Sequence, residues 1–215
     1  MVQLVVDVAG NRLDRRKART RGALIAAARG LIASRDPAEV SIQEITDAAD
    51  VGFGSFYNHF ASKQELFDAA VGEVLEEHGA MLDRVTAGIG DPAEVFATAL
   101  RITARFPKTQ PQVAKIIERT GLDYLANPDG LAPRARRDLK LAQAAGRLDI
   151  ADLDVALACT AGALFGVLHL ASATGAGPRA IDRAADQLAV NLLRMFGLPA
   201  EEATRISQRR LPRAV

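Results

Sequence analysis

The chain has 215 residues, with 27 Lys and Arg against 26 Asp and Glu, a formal net charge of +1, 49% hydrophobic and 25% charged residues, and a single Cys. Such a composition describes one or two soluble globular domains long enough to bury a core. It excludes a disulfide framework, and with no Cys/His spacing that suggests zinc, neither a metal nor another cofactor is expected.

The opening stretch, MVQLVVDVAG, lacks a basic region ahead of its apolar patch and is interrupted by Asp7, so it does not read as a signal peptide and the cytoplasm is expected. Arg12, Arg15, Arg16, Lys17, Arg19 and Arg21 then face only Asp14. This run is either a solvated terminus or a phosphate-seeking arm. Leu24, Ala28, Leu31 and Ile32 mark one face of a first helix over about 15–34, which Asp36-Pro37 ends. Ser41 and Glu44 form a capping box for a short helix with Ile42, Ile45 and Ala49 inward. Ser62 and Glu65 form a second box at the head of a long helix to about 85, and Asp91 and Glu94 a third, with Pro92 at the first helical position.

Helical patterning continues with a break at Phe106-Pro107, a stop at Gly121, a turn at Asn127, and a further helix over 133–145. From Val155 to Pro178 there is no Asp, Glu, Lys or Arg. That is long enough to span a membrane, but its His, Thr, Ser, Gly and Ala content reads instead as a buried helix of a protein with no membrane partner. A last amphipathic helix runs over about 179–196. With no credible strand outside residues 2–8, the expected architecture is all-α, with about nine helices.

The stretch VGFGSFYNHFASKQEL concentrates rings that a core would spread more evenly: the chain has eight Phe and two Tyr, and Phe53, Phe56, Tyr57, Phe60 and Phe67 lie close together. A long helix, a capped two-turn helix, a tight turn and another short helix make the helix-turn-helix layout. Each piece is too short to be stable alone, so a dense shared core is needed, and Phe56 and Phe60 supply its bulk. Gly52 and Gly54 leave the last helix open to close approach. Ser55, Tyr57, Asn58 and His59 are donors suited to phosphate oxygens and base edges, and Lys63 adds a cation beside a helix start.

With RGALIAAARGLI, VSIQEITDAADVGFGSFYNHFASKQELFDAAV and their spacing, the segment over about 20–71 resembles the TetR-type (TetR/AcrR) transcriptional regulators. The resemblance implies that 52–60 is a recognition helix for the major groove. It implies that Tyr57, His59, Lys63 and Ser41 meet the DNA backbone, and that Gly54 and Ser55 lie near base edges. Arg19, Gln43, Gly52, Phe53 and Asn58 complete the expected DNA-facing set. Phe53 stands where polar residues are frequent in the family and either touches a thymine methyl or packs, with packing preferred. Asp50 takes the left-handed position of the turn, usually Gly in the family, and Gly52 replaces the usual Ser or Thr cap.

Farther on, Ala158, Gly162 and Gly166 recur every four residues, which suits either tight packing within the chain or a homodimer seam. The resemblance favours the dimer, formed with the following helix and its Leu188 and Leu192. Two copies would read a pseudo-palindrome in double-stranded DNA. Phe96, Leu100, Phe106, Tyr124, Phe165 and His169 are candidates for a ligand pocket, and Arg134, Arg136, Arg137 and Lys140 for a solvated face. The expected domains are a flexible basic arm over 1–18, a helix-turn-helix over 19–65, an effector-binding and dimerisation domain over 66–197, and a tail over 198–215. The expected function is a homodimeric repressor released from its operator by a small, mainly apolar ligand. A ligand-independent or activating DNA binder is the alternative. A helical-bundle enzyme is distant, because the Glu-x-x-His pattern that His78 would need has Leu75 instead.

Overall fold

The computed structural model describes residues 2–121 and 130–212, and the chain divides into two compact units, with the division inside a helix between Val71 and Gly72. The described residues form eleven α-helices and no strand.

The first unit contains α1 (Val2–Ser34), a 3-10 turn at Pro37–Glu39, α2 (Ile42–Ala48), α3 (Phe53–Phe56) and the start of α4 (Lys63–Thr86). The arm expected over 1–18 is helical from Val2, so Arg12, Arg15, Arg16, Lys17 and Arg19 stand exposed along α1. Leu24, Ile25, Ala28, Ile45, Phe56, Phe60 and Leu66 are buried together. Each large side chain removed from water contributes roughly 1.5–3 kcal/mol, which the short helices α2 and α3 need. Phe56 and Phe60 lie 6.0 Å apart, centroid to centroid, and Arg21 sits 5.1 Å over the Phe60 ring.

The second unit continues with α4 and comprises α5 (Pro92–Ala104), α6 (Phe106–Thr109), α7 (Pro111–Thr120), α8 (Leu131–Ala144), α9 (Leu153–Ala173), α10 (Pro178–Met195) and α11 (Ala200–Ser207). Short α6 and α11 raise the number above the expected nine. Helix α5 lies at the centre, packed on α8, α10 and α11, with Phe96, Ala97, Leu100 and Ala104 buried. Arg101 is also buried, giving Nε to Asp186 at 2.6 Å and Nη1 to the Arg209 carbonyl at 2.9 Å. The stretch expected as a tail is therefore held down. Ala203 and Ile206 are buried, and Arg147 bridges Asp91 and Glu202 at 2.9 and 2.5 Å.

Helix α9 is long and apolar enough to cross a membrane, yet one face buries Ala156, Leu157, Thr160, Ala161, Leu164 and Leu168 against its neighbours. The opposite face is open, with Val155, Ala158, Gly162, Gly166 and Leu170 exposed. The expectation of a wholly buried helix is thus half met.

Candidate nucleic-acid interface and ligand pocket

Helix α2 begins at a complete capping box. The Ser41 hydroxyl accepts from the Glu44 N–H at 3.2 Å, and Glu44 Oε2 accepts from the Ser41 N–H at 2.8 Å. Arg35 adds a hydrogen bond of 2.8 Å to Glu44. The Ser41 backbone donor first, and then Arg35, hold the Glu44 carboxyl down to about 2. After α2 the chain turns at Asp50, whose φ of 52° is left-handed, and the Val51 N–H returns to the Thr46 carbonyl at 3.0 Å.

That turn presents α3 with its outward face uncovered. Phe53 is 47% exposed and Tyr57 55% exposed, and their rings meet edge-on at 5.9 Å. Gly54 and Asn58 are exposed, while Ser55 and His59 are half-buried. A Cβ added at Gly54 would meet nothing within 4 Å, so nothing within the chain requires glycine there. Beside α3, Arg15, Arg16, Arg19 and Thr20 of α1 line an open groove with Asp50, Gly52 and Ser55. Guanidinium groups flanking an uncovered helix fit a polyanionic duplex.

In the second unit α4, α5, α8 and α9 line a partly open pocket with a cavity of about 50 Å3. Leu82, Phe96, Leu100, Leu131 and Leu164 form its apolar wall. Its polar corner is built by Asp83, Arg134, Arg137 and Asp138. Arg134 Nε and Arg137 Nη2 each donate to Asp83 at 2.8 Å, and Arg137 Nε donates to Asp138 at 2.9 Å. Burial raises the Asp83 carboxyl, but the two arginines outweigh it and leave the group below its ordinary value. At Asp138 burial prevails over Arg137, and the carboxyl is raised. Thr86, Thr103 and Thr160 also line the space, and each hydroxyl gives its proton to the carbonyl four residues earlier at 2.8–2.9 Å. The corner therefore offers chiefly acceptors.

Behind Thr103 lies His78, buried, with its ring 4.1 Å from that of Phe106. Since the Thr103 proton goes to Ala99, His78 Nε2 carries the hydrogen that bridges the 2.9 Å to Thr103, and Nδ1 has no partner. Burial, aided by the charge of Arg134, pushes the imidazole down to about 3.

Residues 24–70 match the family model for bacterial regulatory proteins of the tetR family, and residues 91–209 match that for the tetracyclin repressor-like C-terminal domain. The chain belongs to the TetR family. It is 28% identical to the probable acrEF/envCD operon repressor of Escherichia coli K12, over 87% of this chain and 91% of that protein. Among solved structures it is similar to RolR without ligand, at 36% identity and a TM-score of 0.74 over 90% of this chain and all of RolR. The likeness to RolR in complex with resorcinol is 34% identity and a TM-score of 0.68, over 94% of this chain and all of that one.

As a TetR-family member the chain is a DNA-binding regulator with a ligand-binding C-terminal domain, and this is a family of regulators rather than enzymes. Several site residues stand otherwise than the motif implied. Lys63 Nζ donates to the carbonyls of Pro37, Ala38 and Val40 at 3.0, 3.1 and 2.7 Å, so its three protons are engaged within the chain rather than offered to a phosphate. The Ser41 hydroxyl proton goes to Glu44 at 2.8 Å, and Gln43 donates to Asp47 at 2.7 Å. Phe53, expected to pack, is largely exposed because α3 is only four residues long and turns its first ring outward.

Of the pocket candidates, Phe96 and Leu100 line the space. Phe106 is buried against His78, Phe165 is half-buried away from the lining, and His169 is exposed and bonded to Glu118 at 2.8 Å. Tyr124 lies outside the described residues. Arg134 and Arg137, expected on a solvated face, instead build this corner with Asp83 and Asp138. Their spacing from Asp138 and Leu131 on one helical face was the available signal. Leu188 and Leu192, expected at a dimer seam, are 5% and 1% exposed and belong to the protomer's own core.

Proposed function

We propose that this protein is a cytoplasmic, homodimeric repressor. It leaves a pseudo-palindromic operator when a small molecule with an apolar body and hydroxyl donors enters the pocket between α4, α5, α8 and α9. The observation that carries this reading is the combination of an apolar wall with a corner of acceptors, in which both arginines are already engaged by carboxylates. Such a corner welcomes O–H donors, because an unpaired donor in a dry site costs roughly 1–3 kcal/mol and an acceptor removes that cost. Resorcinol, named as the ligand of the RolR complex, has this chemistry. The open face of α9, lined by Ala158, Gly162 and Gly166, supports pairing with a second copy.

The test is selection of genomic fragments by the purified protein, followed by titration of the enriched operator with and without resorcinol. A two-fold-related site whose affinity falls some 5–150-fold with saturating resorcinol is the expected result. An operator affinity unmoved by resorcinol and by related hydroxyaromatics would overturn the release mechanism and favour a regulator that senses no ligand.

A further inference from the structure

The polar corner of the pocket continues past the pocket. Besides Asp83, Arg134 holds Glu76 through two parallel hydrogen bonds of 2.7 Å, and Glu76 does not line the space. Glu76 and Asp83 stand seven residues apart on α4, two helical turns on one face and about 10 Å along the axis. Between them lies Gly79, where an added Cβ would come within 2.6–2.7 Å of Arg134 Nη1, Cζ and Nε. The guanidinium thus occupies the place a side chain at 79 would fill. Arg134 Nη1 also donates to the Gly130 carbonyl at 2.8 Å, at the start of α8. Gly130 has a φ of +89°, and a Cβ there would fall 2.8 Å from Leu75 Cβ, so α8 begins pressed against α4.

We propose that Arg134 is the coupling residue of the pocket: it straps α8 to α4 through Glu76 outside the cavity and Asp83 inside it, so that an occupant engaging Asp83 loosens the hold on α4. This rests on the reading of the pocket as an effector site. An occupant whose hydroxyl donates to Asp83 competes with Arg134 Nε and Arg137 Nη2 for the same two oxygens. Helix α4 carries the chain from the second unit back to Lys63, whose ammonium is bound to the segment preceding α2. The strap therefore acts on the helix that leads directly to the DNA-reading elements.

Two substitutions alter the strap at positions that do not themselves line the space. Glu76→Gln weakens its outer half, and Gly79→Ala displaces the guanidinium. Both variants are compared with wild type in operator affinity without ligand, in resorcinol affinity by calorimetry, and in the operator affinity lost on saturation with resorcinol. Thermal melting controls for folding. The expected result in both variants is an operator affinity changed by about fivefold or more without ligand and a resorcinol effect reduced to less than about threefold, with the resorcinol Kd of Glu76→Gln within about threefold of wild type. A strap that merely supports the fold would lower the melting temperature and leave both operator readings unchanged in the folded variants, and that result overturns the proposal. If wild type binds no resorcinol, the effector reading for that probe fails while the ligand-free operator arm still decides the strap: changed affinity in both variants sustains it, and unchanged affinity removes it.

Discussion

Lys63 lies in a DNA-binding motif with its ammonium turned back on its own chain. An ammonium on a flexible stem can reach a phosphate or turn back on its own chain, and here three carbonyls from the turn before α2 capture it. Hydrogen bonds to a charged group contribute roughly 1.5–3 kcal/mol, so removal is a matter of stability. Arg19, exposed in the groove beside α3, has the opposite character. Arg19→Ala is expected to lower the slope of log affinity against log salt by about one, as loss of a phosphate contact does. Lys63→Met is expected to leave that slope unchanged while lowering the melting temperature by several degrees. Salt-titrated operator binding and thermal melts on both variants check this, and a reduced slope for Lys63→Met would return it to the DNA surface. The motif identified Lys63 because sequence records the residue type. It could not show which oxygens lie within reach of a four-carbon stem.

At the scale of helices, capping chemistry was the most readable signal. Ser41 and Glu44, Ser62, and Asp91 with Pro92 each begin a helix as their side chains require. Asp50 also takes its left-handed turn as expected. Partner assignment between helices was less readable. The apolar stripe of α10 carries Ile181, Ala185, Leu188 and Leu192, and periodicity alone does not tell an inner core from a dimer seam; these residues are buried within the protomer. On α9 the small residues point out, between Val155 and Leu170, each more than half exposed. Gly162→Glu places a charge and a long side chain on that face without meeting any atom of its own chain within 4 Å of the new Cβ. The expected outcome is a monomer by analytical ultracentrifugation with unchanged helical content and greatly weakened operator binding, and a variant that stays dimeric would move the seam elsewhere. The pocket's acidic and basic corner is only faintly legible for a related reason, because charged residues on a helix are usually solvated and their shared face alone does not tell a pocket from a surface. Only the close approach of α8 to α4 at Gly130 and Gly79 draws Arg134 inward.

For the molecule as a whole, His78 gives stability a dependence on pH. The folded imidazole is held at about 3, against an ordinary value of 6.5, so the unfolded chain takes up a proton first as pH falls. Stability is therefore expected to decline below about pH 6.5, by up to about 1.4 kcal/mol per pH unit from this group. Near pH 4 the carboxylates held low by Arg or Lys partners, Glu76, Asp91 and Asp182 among them, add losses of the same sign. Asp138, raised by burial, works in the other direction, because its folded form takes up a proton first. Denaturant unfolding of wild type and His78→Leu between pH 7 and 5 isolates the imidazole: the wild type is expected to lose stability over that window and the variant to stay nearly level.

The self-pairing of charge around Arg134 bears on what the regulator ignores. Two guanidinium groups meet three carboxylates, from Glu76, Asp83 and Asp138, so the corner holds no surplus positive charge with which to receive an anion. A hydroxyaromatic compound and the same ring bearing a carboxylate are nearly alike in size and shape, yet the second would bring a further negative charge to a corner already rich in them. On the proposed reading of the pocket, a neutral hydroxyaromatic compound is thereby separated from its acidic relatives by electrostatic exclusion rather than by fit.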